Sequence, residues 1–158
     1  MSLYSRQARK NEEVWLLDTL DSEGMPTEPF RSREYIFVFD EDISNNPIAF
    51  GRLRVHKTEL EEVDPDEDSP YHEWYELMNI YVSPTGEQRN ATRELVRGVS
   101  AHLQDEYDGD SILVFAEHVN SREAEGFREI SASDLTDAQV ERMDERTVEL
   151  GSKVTPMV

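Results

Sequence analysis

The chain has 158 residues, 37% of them hydrophobic, which suffices for one domain built on a single core. Its 35 Asp and Glu outnumber 16 Lys and Arg for a formal net charge of -19, and no basic stripe exists to release counterions from nucleic acid. Cysteine is absent, which excludes disulfides, thiolate metal ligands and a cysteine nucleophile, and no apolar run approaches the ~20 residues of a membrane-spanning helix.

Residues 3–8 read as an edge strand. Asn11 then offers an N-cap to a helix with Val14, Leu17 and Leu20 at helical spacing, which stops near Gly24. Residues 34–40 are rich in aromatic and β-branched types and predict a second strand; after a turn cluster at 42–47, residues 48–56 predict a third. The two are expected to pair as an antiparallel hairpin, with Gly51 marking a bulge or a close approach. Residues 59–70 are strongly acidic with two prolines, Pro65 and Pro70, and predict a solvated loop. Residues 73–82 form the fourth and longest strand, apolar on both faces from Leu77 onward and so expected at the sheet centre.

Ser83, Pro84, Thr85 and Gly86 break that strand, and residues 87–105 predict an amphipathic helix with Ala91, Leu95, Val99 and Leu103 four apart. Residues 111–118 predict a fifth, buried strand. A helical turn at 120–125 leads through Gly126 and Phe127 into a brief strand reaching Ile130. Thr136 with Gln139 matches a capping box, and the helix through Val140, Met143 and Leu150 ends at Gly151. Residues 153–158 return as a last strand. With no internal repeat, no linker and no signal-peptide pattern, the expectation is one soluble, cytoplasmic domain over residues 1–158.

The acidic residues are spread through every predicted element, which argues against a nucleic-acid mimic built as one block. Only Lys10, Lys57 and Lys153 are lysines. This composition resembles that of halophile proteins, which work where the screening length has fallen to about 3 Å at molar salt.

The order of elements, with Ile80-Tyr81-Val82-Ser83-Pro84 before a turn and helix, Ala116-Glu117-His118-Val119-Asn120, and Gly126-Phe127, resembles the GNAT superfamily across nearly the whole chain. The resemblance implies an α/β (α+β) fold: a mixed, mostly antiparallel central sheet flanked by helices and splayed between its fourth and fifth strands. It implies an N-acetyltransferase moving acetyl from acetyl-CoA to a primary amine by direct attack, without a metal. The implied partners are acetyl-CoA and a small-molecule or peptide amine, with no nucleic acid and no membrane; a homodimer is left open. The alternative is a non-catalytic GNAT-like module that holds acyl-CoA or another ligand.

A turn feeding a helix N-terminus offers converging N–H donors and a positive dipole end to a pyrophosphate. Glu87, Gln88, Arg89, Asn90, Ala91 and Thr92 hold that position, with Arg93 adding charge. The family signature is Gln or Arg, two residues, Gly, one residue, then Gly or Ala. Registered on Val82-Ser83-Pro84, those positions are Glu87, Asn90 and Thr92, and Asn90 is expected to take the left-handed backbone of the turn. The resemblance further assigns Val82 and Asn120 to the cofactor site, and a backbone N–H within residues 79–82, best matched by Ile80, to the acyl carbonyl. Its general base falls on Glu76, six residues before Val82, with Glu73, His72 and His118 as alternatives. The family's general-acid tyrosine is replaced by Arg122, leaving Tyr81 and Tyr75 open.

Overall fold

The computed structural model describes residues 3–28, 30–41, 46–59, 71–84, 88–107, 111–124 and 126–158. Their elements run β1 (Leu3–Gln7), α1 (Glu13–Ser22), β2 (Tyr35–Asp40), β3 (Ala49–Glu59), β4 (Tyr71–Val82), α2 (Gln88–Tyr107), β5 (Val114–Ala116), α3 (Val119–Ala124), α4 (Asp137–Leu150) and β6 (Thr155–Met157). Strands β1 to β4 form one sheet in sequence order, and β5 pairs with β6 in a second. The fold is mixed α+β, a four-stranded antiparallel sheet flanked by helices.

By its contacts the chain divides into two compact units. The first comprises Met1–Leu53 and Leu77–Asp110. Its centre is β2, whose six residues are all buried because no polar position before Asp40 interrupts the apolar run. β1 pairs on one side (Leu3↔Asp40 through Gln7↔Ile36) and β3 on the other (Tyr35↔Arg52 through Val38↔Ala49), both antiparallel. The hairpin register passes Gly51 without a bulge. A Cβ there would meet the side chains of Leu77 and Leu95 at 3.1 Å each, so this glycine marks a close approach of side chains. Arg52 is fully buried and donates to Glu34 from Nε (3.2 Å) and Nη2 (2.7 Å).

Helix α2 packs on β1 and β2 through Ala91, Leu95, Val99 and Leu103, all buried as their spacing predicts. Gly98 lets it approach closely: a Cβ there would lie 2.7 Å from Ser5 Cβ. In α1 the inward face differs from expectation. Leu16 and Leu20 are buried, while Val14 and Leu17 are 73% and 38% exposed. Asn11 is no cap, because it lies inside a 3₁₀ turn, Lys10–Glu12, whose last residue reaches back to accept from the Arg9 N–H at 2.8 Å. That entry turn rotates the helix so that Leu16, Leu20 and the edge of Trp15 meet Phe37 and Phe50.

The second unit comprises Arg54–Glu76 and Ser111–Val158. Trp74, Leu113, Phe115 and Val154 are its buried core, lined by Ile130, Leu135, Met143 and Leu150. The last strand appears as expected: β6 runs antiparallel to β5, Val114↔Met157 to Ala116↔Thr155. The strand expected up to Ile130 is a single bridge, Glu129↔Met157, extended by reciprocal bonds between Arg128 and Val158 at 2.9 Å. Residues 131–154 are thus an excursion pinned at its base. It holds α4, begun by the Thr136–Gln139 capping box and ended by Gly151 at φ 68°.

The expectation that β4 is central needs correction. It is the last strand of its four-stranded sheet, and it meets the β5 side at one parallel bridge, Glu76↔Leu113, beside the bond from Leu113 N–H to Tyr75 C=O (2.8 Å).

Candidate functional site

In the first unit the end of β4 carries a backbone irregularity. Asn79 has φ 51°, the one positive φ at a non-glycine position among the described residues. Its side chain is buried, and its Nδ2 donates to the Pro26 carbonyl (2.8 Å) and the Tyr35 hydroxyl (3.0 Å), holding the kink in place. A left-handed residue in a strand re-aims the peptide that follows it, here the N–H of Ile80. Ile80, Tyr81 and Val82 are then half-buried. Tyr81 stacks on Phe50 with centroids 5.0 Å apart, as a packing residue.

Glu87, with Thr85 and Gly86, lies outside the described residues. Helix α2 opens at Gln88, which puts the N–H groups of Gln88, Arg89 and Asn90 in its first turn, with Ala91 the next residue along. The left-handed backbone expected at Asn90 is not found. Asn90 is helical and exposed, and the left-handed residue sits eleven positions earlier, in the strand. Ala91 is fully buried and Thr92 is 7% exposed, so both turn their side chains inward.

The second unit holds Asn120 and Glu76. Asn120 does not end the fifth strand: β5 stops at Ala116, and Asn120 is the exposed second residue of α3. Glu76 has no exposed surface. Its Oε1 accepts from His56 Nε2 of β3 (2.9 Å) and from Arg142 Nε of α4 (2.7 Å), while Oε2 lies 3.4 Å from Arg142 Nη2 and 3.6 Å from Arg146 Nε. Arg142 and Arg146 are four residues apart, hence on one face of α4, and both are buried. Burial alone would raise the Glu76 carboxyl, but the bonds from His56 and Arg142 and their charges outweigh it and hold the group below the usual carboxylate range. Burial would likewise lower Arg142, but Glu76, Glu145 and Glu149 outweigh it and raise it.

An ionised Glu76 can only accept, so His56 Nε2 carries a proton toward it, and Nδ1 is the ring nitrogen left to meet another group. His56 is 15% exposed, stacks on Trp74 with centroids 4.0 Å apart, and lines a cavity of about 230 Å³ together with Arg142. The arrangement has the parts of a carboxylate-oriented imidazole facing an open space.

Sequence reasoning passed over His56, Arg142 and Arg146. His56 closed a predicted strand with no motif around it, and no motif singled out the arginines of the last helix. Of the alternatives, Glu73 is exposed and meets Lys57 Nζ at 3.4 Å, and His118 is exposed ahead of α3. The side chain of His72 lies outside the described residues. Tyr75 donates to Glu73 at 3.1 Å. Among the described residues no cluster of His, Asp and Glu is arranged to hold a metal ion, and no helix is long and apolar enough to cross a membrane.

No protein-family model and no curated protein sequence matches the chain. Solved structures do. N-acetylglutamate synthase from Neisseria gonorrhoeae, complexed with coenzyme A and N-acetyl-glutamate, is similar over 99% of the chain at 19% identity and TM-score 0.57; the chain spans 34% of that protein's length. Rv2747 from Mycobacterium tuberculosis, in complex with CoA, is similar over 97% of this chain and 96% of its own at 14% identity and TM-score 0.59. NAA60 from Arabidopsis thaliana, in complex with acetyl-CoA, is similar over 99% and 96% at 10% identity and TM-score 0.59. The element order, the kinked fourth strand leading into a helix and this chain-wide likeness agree: the chain has the GNAT fold.

Proposed function

We propose that the chain is an N-acetyltransferase that moves acetyl from acetyl-CoA to a primary amine by direct attack. The supporting observation is its likeness, over nearly its whole length, to acetyltransferases holding CoA or acetyl-CoA. On this reading the first-turn N–H groups of Gln88, Arg89 and Asn90 receive the pyrophosphate, with Ala91 beside them. Glu87, Val82, Thr92 and Asn120 belong to the same cofactor site, and the Ile80 N–H stabilises the oxyanion formed when the amine nitrogen adds to the thioester carbonyl. The C–S bond then breaks, CoA leaves as a thiolate that takes a proton from water, and the amine loses its proton.

His56 Nδ1 is the acceptor we assign to that proton, with Glu76 as the positioning residue that fixes the ring and stabilises the imidazolium. His56→Gln then lowers kcat by about 10²-fold or more near neutral pH, with the loss shrinking at high pH where the amine is already neutral. Unchanged turnover in that variant would remove His56 from the mechanism.

The burial of Glu76 under two arginines favours a second reading, a non-catalytic module that holds acyl-CoA. Calorimetric titration of acetyl-CoA in concentrated KCl, followed by mass spectrometry of an amine panel incubated with it, separates the two. Binding with acetylated product supports the enzyme, and binding without product supports the module.

A further inference from the structure

The 230 Å³ cavity beside His56 is lined by a basic stretch of β3 and by a helix, α4, that brings two glutamates and one paired arginine. Strand β3 contributes Arg54, His56 and Lys57; helix α4 contributes Ala138, Glu141 and Glu145, and also Arg142, whose charge is taken up by Glu76, Glu145 and Glu149. Trp74 supplies an aromatic surface, on which His56 already stacks. Several of these charges have partners: Lys57 reaches Glu73 at 3.4 Å, and Glu145 accepts from Arg142 at 3.0 Å. A ligand would therefore join existing pairs. In a chain whose acids exceed its bases by 35 to 16, three basic side chains within four residues, one of them among only three lysines, run against the composition.

We propose that this cavity is the acceptor subsite and that it takes a small zwitterion, an amine carrying a carboxylate, of amino-acid size; the proposal rests on the acetyltransferase reading. The two walls set the class. A carboxylate meets the Arg54–Lys57 side, where charge-assisted bonds to a guanidinium are the strong ones. The amine meets the side lined by Glu141 and Glu145. A plain cationic amine leaves the basic wall facing like charge, and a plain anion does the same at α4. Size follows from volume: at roughly 30 Å³ per water, the cavity displaces about eight waters, room for on the order of ten heavy atoms.

The test is calorimetry of the whole protein with the common L-amino acids, without acetyl-CoA, at the lowest KCl concentration that keeps it folded. The tightest binder is then repeated as its carboxamide and as its decarboxylated amine. Each is expected to bind about tenfold or more weakly, the loss of one charge-assisted bond. Lys57→Gln and Glu141→Gln, both exposed positions, are expected to weaken the amino acid with no change in the melting curve. Absence of amino-acid binding, or equal binding of the amine lacking a carboxylate, overturns the proposal. Acetylation of carboxylate-free amines alone overturns it and leaves the enzyme reading standing. Amino-acid binding with no acetylated product supports the subsite and sinks the enzyme.

Discussion

A carboxylate without exposed surface, held by two arginines and a histidine, makes Glu76 a stability element whatever its part in catalysis. Removing one partner of such a cluster strands the others, which typically costs about 3–5 kcal/mol. Glu76→Gln is therefore expected to lower Tm by roughly 10 °C at neutral pH for a chain of this size. The pH dependence follows from the folded carboxyl being held below its ordinary value of 4.5. The contribution is complete above that value and is lost as pH falls below it toward the folded pKa. The stability gap between wild type and variant should thus narrow between pH 7 and about pH 3.5, read by urea unfolding; parallel profiles would contradict the ion-paired state. Glu76 was legible by its register from Val82. Its surroundings were not, because three of its partner atoms come from α4, 66 or 70 residues away in the chain, and an arginine that will be buried by pairing looks like any surface arginine.

Helices and strands show the same division. The stripe of α2 was readable because four buried residues recur every four positions, but the single glycine inside it carried no clear message until its neighbour Ser5 was known. Gly98→Ala puts a methyl group against Ser5 Oγ and Cβ, and overpacking of this kind costs about 1–3 kcal/mol despite the better helix propensity of alanine. Thermal melts check this, and Ser5→Gly in the same chain should restore most of the loss. At the start of α2 the left-handed turn expected of Asn90 is absent, since a helix supplies its donors from helical backbone. Asn90→Val should accordingly leave acetyl-CoA affinity nearly unchanged. Asn90→Pro, which removes one N–H from a first turn that tolerates proline, should weaken it by about tenfold with Tm little altered. Equal affinity in both variants would move the pyrophosphate away from these N–H groups. The kink at Asn79 escaped the sequence reading because asparagine in a strand has no periodicity to betray it; only its bonds to Pro26 and Tyr35 explain why the backbone turns there.

For the whole molecule the net charge of -19 decides the response to salt. The buried pairs, Glu34 with Arg52 and Glu76 with Arg142, are shielded from ions and change little with ionic strength. Exposed carboxylates such as Asp18, Asp21, Glu123 and Asp144 repel one another over a screening length of about 10 Å at 0.1 M, which falls to about 3 Å at 1 M. Self-repulsion destabilises the compact state, so Tm is expected to climb by several degrees across that range of KCl. The climb should flatten once screening is shorter than the spacing between neighbouring charges, whereas stabilisation by solute exclusion would continue to rise with concentration. A variant with those four carboxylates replaced by Asn or Gln should melt higher in dilute buffer and gain less from salt, because it has less repulsion to relieve. Glu76→Gln, by contrast, should lower the whole curve without changing its slope, since the charge it removes was already paired and out of reach of the added ions. A flat melting temperature in wild type, or equal slopes in wild type and the four-site variant, would show that the surface charge is balanced locally and that its excess plays no part in stability.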